Sequence, residues 1–142
     1  MRKPTSLVAL IAVLFLGWLL NAAFQSSGQA SPGDDVLAAA MRAQQSGVQV
    51  TGSGTVTRVL ADDDDGSRHQ RFILTLETGE TLLVAHNVDL TPRVKSIKLG
   101  DTITFNGVYE WNSKGSVVHW THHDPEGDHV PGWIKHNGRT FQ

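Results

Sequence analysis

The feature that most constrains this chain is a change of hydrophobic period at Val48, from helical spacing to alternation, sustained through five segments separated by turn residues. A period of two sends successive side chains to opposite faces of a strand, so each segment buries one face and offers the other to solvent or a ligand. In the first segment Val48, Val50 and Val56 share a face with Gly52 and Gly54, which predicts a strand that bends sharply there. Arg68 to Glu77 is the clearest strand: Phe72, Leu74 and Leu76 point one way, and His69, Arg71, Ile73 and Thr75 the other. Thr78-Gly79-Glu80 turns it into a third strand, Thr81 to His86, completing a meander. Asn87 to Leu99, which contains Pro92, reads as a crossing loop. Ile103, Phe105, Tyr109 and Trp111 line one face of a fourth strand. In the fifth, Ser116 to Thr121, Val118 and Trp120 face one way and Val117, His119 and Thr121 the other. A meander, a crossing segment and two further strands is the order of a five-stranded OB barrel, and closure removes the edges an open sheet would expose. The expected class is therefore mainly β, a small OB-like barrel over residues 48–142. Asn137-Gly138 between Trp133–His136 and Arg139–Phe141 adds a C-terminal type I′ hairpin.

Upstream, residues 31–47 read as a linker and one helix. Asp34 and Asp35 favour its start, Val36, Leu37, Ala40 and Met41 recur at helical spacing, and Gly47 closes it. Residues 1–30 read as a targeting segment, with Arg2 and Lys3 ahead of an apolar run from Leu7 to Leu20, and with Gly28 and Ala30 placed like a cleavage site. The run is short for a span of about 20 apolar residues. A cleaved signal peptide is thus preferred to an uncleaved anchor, and the expected location is the periplasm or cell envelope. Contact with a membrane is expected only through that segment if it stays uncut.

The formal charge is −2, and removing Arg2 and Lys3 from twelve basic residues set against fourteen acidic ones leaves −4. That balance counts against a polyanion partner, so nucleic acid is only weakly supported as a ligand. With no cysteine, any metal must be held by His, Asp and Glu. Asp62 to Ser67 fails as a calcium loop, because Ala61 and Phe72 fall where EF-hand ligands belong; it reads as a solvated hairpin turn.

Five of the seven histidines crowd between Val117 and Gly138. His119, His122, His123, Asp124 and His129 are candidate ligands for a divalent ion such as zinc, which in a hydrolase keeps one position open for an activated water. On an ideal strand His119 and His123 stand about 13 Å apart, so only a turn starting at His122 would bring them together. A second candidate surface is the outer face of strands two and three, where OB barrels bind oligonucleotides or oligosaccharides. There the expected ligand contacts are Arg68, His69, Arg71, His86, Asn87 and Arg93, with His136 and Asn137 from the hairpin. A row of exposed aromatics for stacking bases is missing.

Arg68-His69-Gln70-Arg71-Phe72, Ala85-His86-Asn87 with Pro92-Arg93, His119-Trp120-Thr121-His122-His123-Asp124-Pro125, Gly132-Trp133 and His136-Asn137-Gly138 resemble a bacterial family of short exported proteins, domain of unknown function 3465. The resemblance covers nearly all of Val48 to Gln142. It implies an envelope location and transfers no mechanism. Glu126 and Asp128 stand in a loop where that family commonly has basic residues, which argues against a phosphate site there.

Three readings follow. The first is a non-catalytic ligand-binding module, the second a metal-dependent hydrolase of phosphodiesterase or nuclease type using His119 to His136. In the third the histidines form a hydrogen-bond network that only holds the C-terminal loop to the barrel. The first is preferred, because few metal-spacing rules are met.

Overall fold

The computed structural model describes residues 32–142. The leader expected over residues 1–30 lies outside them. Among the described residues no helix is long and apolar enough to cross a membrane.

One helix, α1 (Pro32–Ala43), precedes seven strands: β1 (Val48–Val59), β2 (His69–Leu76), β3 (Thr81–Asn87), β4 (Thr102–Asn112), β5 (Gly115–His119), β6 (Trp133–His136) and β7 (Arg139–Phe141). Hydrogen-bonded neighbours run β1-β2-β3-β5-β4, and β4 pairs back to β1, so five strands close into a barrel of OB order. Every pairing in the ring is antiparallel except β3 with β5, which is parallel over only Leu83↔Val117 and Val84↔Val118. The expected mainly β barrel with a helix before it and a hairpin after it is the observed fold.

Alternation explains the core. Phe72, Leu74, Leu82, Val84, Ile103, Phe105, Tyr109 and Val118 are completely buried inside the barrel. At roughly 25 cal/mol per Å² of apolar surface, such side chains supply most of the driving force for closure. Tyr109 keeps its hydroxyl satisfied, 2.9 Å from Ser116 Oγ.

The glycines of β1 act differently from a simple bend. The strand changes partner at Gly54 and Thr55, which pair with both β2 and β4, and its register slips between Val56 and Arg58. A Cβ at Gly52 would sit 2.7 Å from Leu37 Cδ2 and 2.8 Å from Phe105 Cζ. That bare backbone is the seat for α1, which buries Leu37 and Ala40. The helix ends before Gly47: Gln44 takes the left-handed turn at φ 50°.

The second edge of β4 is shared. β5 occupies it from Val108 to Asn112, and β6 takes over from Thr104 to Asn106. The chain leaves β4 after His119 and returns at Trp133, and the excursion between them carries three of the seven histidines.

Candidate functional site

β5 ends two residues earlier than the alternation predicts, because Trp120 adopts φ 51°. The reversal turns Thr121 inward, away from the face it was expected to share with His119. Thr121 is fully buried and its hydroxyl lies 2.8 Å from His86 Nδ1.

His86 is the main correction to the expected ligand surface. The β2–β3 register pairs Gln70 with His86 and His69 with Asn87, which places His69 and His86 on opposite faces of the sheet. His86 points into the barrel with no exposed surface. Its Nε2–H donates to Pro92 O at 3.2 Å, so the Thr121 hydroxyl donates to Nδ1 and the ring is a neutral structural tie. Burial pushes its pKa down to about 4. Asn87 is spent on a turn, accepting Asp89 N–H at 3.0 Å.

The arginines expected to face a ligand are held by the acidic turn. Arg68 Nε donates to Asp64 at 2.7 Å, which raises the guanidinium pKa, and Arg93 pairs with Asp62. Arg71 Nε donates to Ala61 O at 3.0 Å. Asp64 and Asp62 therefore neutralise Arg68 and Arg93, and the acidic turn is more than a solvated hairpin turn.

The expected metal set does not converge. Asp124 is buried, and its carboxylate accepts three backbone N–H groups, from Glu126 at 3.0 Å, Asp128 at 2.7 Å and His129 at 2.8 Å. His122 is buried and donates Nδ1–H to His123 O at 2.8 Å. His129 stacks on Trp120 with centroids 3.8 Å apart, and His122 lies 5.3 Å from the same ring. His123 is exposed on the loop. Gly132 N–H closes the loop on His122 O at 2.9 Å, making His122–Gly132 a compact Ω-shaped excursion. Among the described residues no three of His, Asp and Glu are grouped to hold a metal ion. His136, on β6, is buried 2.8 Å from Asp101 Oδ2, and Asn137 stands exposed in the hairpin turn, so neither joins the other candidates.

Those three N–H bonds hold the Asp124 carboxyl below its ordinary pKa, Glu126 N–H contributing most. A depressed acid stabilises above its unfolded value and loses that contribution as pH falls through the lower folded one, so the loop should open only in strong acid. Asp124→Ala is expected to speed hydrogen exchange at the Glu126, Asp128 and His129 amides about tenfold or more, while Phe72 and Tyr109 in the barrel stay protected.

What the fold does bring together is a groove of about 280 Å³ on the outer face of β2, β3, β5 and β4, beneath the β1–β2 loop. It is lined by Asp63, Asp65, His69, Ala85, Glu110, Asn112, Val117 and His119. Of the sequence candidates only His69 and His119 meet here. Glu110 was missed, although its parity opposite Tyr109 already sends it outward, beside His119 on the neighbouring strand. His69 donates Nδ1–H to Ser67 O at 2.8 Å, which leaves Nε2 as an acceptor. His119 Nε2 is buried with no hydrogen-bond partner among the described residues; Glu110 Oε1 stands 3.5 Å away, a long ion-pair contact. Burial lowers the His119 pKa, against the opposing pull of Glu110.

With the geometry in place, a family model described as a protein of unknown function, DUF3465, matches residues 19–142. The chain belongs to the DUF3465 family. Comparison with curated proteins finds no match. The DUF3465 match takes in the barrel, the Ω loop and the hairpin together, and all of them are parts of one domain family.

Proposed function

We propose that this domain is a non-catalytic binding module whose groove takes a positively charged, hydrogen-bond-donating ligand, such as a polyamine or the basic side chains of a peptide. The observation that carries the reading is the unfinished pair of His119 and Glu110. A buried imidazole nitrogen without a partner beside a carboxylate is a set of acceptors that one N–H donor would complete. Asp63 and Asp65 line the same groove, and the nearby Arg68 and Arg93 are already paired, so its charge favours a cation. The donors are spread around an open groove instead of being gathered on one point, which suits an organic cation better than a bare metal ion. An envelope location, expected from the leader, would place the module among extracytoplasmic ligands.

Titration with spermidine and with a trilysine peptide in low-salt buffer tests this. Binding should weaken as salt rises and fall about tenfold in an Asp65→Asn, Glu110→Gln variant, since two half-exposed charge contacts are lost. His123→Ala, on the Ω loop, should leave it unchanged. Tight binding of an oligothymidylate in place of either cation would reverse the charge argument.

A further inference from the structure

The sequence contains Asn-Gly twice, at Asn106-Gly107 and Asn137-Gly138, and the fold treats the two in opposite ways. Ring closure at such a pair needs the glycine nitrogen to reach the asparagine side-chain carbon, so both the carboxamide and the backbone between them must be free to turn.

Asn106 has neither freedom. It lies within β4 and is paired on both sides, with Thr51 of β1 and Trp133 of β6. Its Oδ1 accepts from Gln49 Nε2 at 2.6 Å and its Nδ2 donates to Thr51 Oγ1 at 2.7 Å. Gly107 is locked opposite Val50. Asn137 and Gly138 form the exposed tip of the β6–β7 hairpin, with φ 48° and 73° and open space around the glycine. β7 has only three residues and ends the described sheet, so local opening there costs far less than opening the barrel.

We propose that Asn137 is a site of spontaneous deamidation, a one-way covalent change that the barrel forbids at Asn106. The Gly138 backbone nitrogen attacks Asn137 Cγ; the N–Cγ bond forms, the Cγ–Nδ2 bond breaks, and the amide proton leaves with the nitrogen as ammonia. Water then opens the succinimide at either carbonyl, giving aspartate or isoaspartate, with no change of oxidation state. Either product adds a negative charge beside His136. Isoaspartate also lengthens the main chain by one carbon, which a two-residue type I′ turn cannot absorb. The His136↔Arg139 pairing is lost, and Phe141, now buried against the sheet, is released.

The test is incubation of the folded protein at mildly alkaline pH, followed by digestion, mass analysis and isoaspartate detection, with a urea-unfolded sample in parallel. Asn137 should convert about tenfold faster than Asn106 or more when folded, and at a similar rate when unfolded. Asn137→Gln should abolish the change in the folded protein. Equal folded rates at the two sites, or an intact Asn137 after the unfolded sample has fully converted, would overturn the proposal.

Discussion

Gly132→Ala is expected to cost about 3 kcal/mol or more of unfolding free energy, more than a surface glycine substitution should. A Cβ there would lie 1.9 Å from Trp120 O, 2.7 Å from Asn106 O and 2.9 Å from Thr121 Cα. All three are backbone atoms, so no side chain can swing aside to relieve the clash. The chain would have to move at the point where β5 ends, β6 begins and both cross β4. Trp120 would lose the close carbonyl contact that accompanies its left-handed conformation, and His129 would lose its stacking partner. Urea unfolding combined with tryptophan fluorescence measures both effects. A variant within about 0.5 kcal/mol of wild type would show that the crossing is looser than described.

The second large effect is on pH dependence, through His86. Its folded pKa, about 4, lies below the ordinary value of 6.5. At pH 7 and above the ring is neutral in both states and the full stability is present. As pH falls through 6.5 the unfolded chain takes up a proton that the folded chain refuses, so stability declines, by about 3 kcal/mol in total when pH 4 is reached. His119, also depressed by burial, acts in the same direction. Depressed carboxyls such as Asp101 and Asp124 act only at lower pH. Unfolding midpoints from about pH 7.5 to about pH 5 should slope downward in wild type and less steeply in His86→Gln. Parallel curves, or an imidazole titration near 6.5 by NMR, would contradict the buried neutral ring.

Much of the fold was legible because alternation is a local signal. Phe72, Leu74 and Leu76, then Ile103, Phe105 and Tyr109, declare their faces without knowledge of any partner. β3 was harder, since Leu83 and Ala85 are as apolar as Leu82 and Val84; yet His86 shares the parity of Leu82 and Val84, and that parity alone would have put it inside. Trp120 could not be read at all. No local rule gives a tryptophan a left-handed φ, and the backbone its carbonyl packs against, Gly132, is twelve residues away. The histidine-dense stretch drew attention to the loop, but density says nothing of where lone pairs go. Asp124 is consumed by backbone N–H groups, and His129 is turned flat against the Trp120 ring. The groove was hidden for a related reason: Asp63, Asp65 and His69 come from one part of the chain and Glu110 and His119 from another, and only barrel closure brings the two groups to one face.

Under the proposed function the groove receives the ligand and the Ω loop serves as structure. Residue-resolved amide shifts during a spermidine titration test it most directly. The largest changes should fall on His69, Ala85, Glu110, Val117 and His119, with His122 to Gly132 unmoved. Changes centred on the Ω loop, with the groove silent, would contradict it.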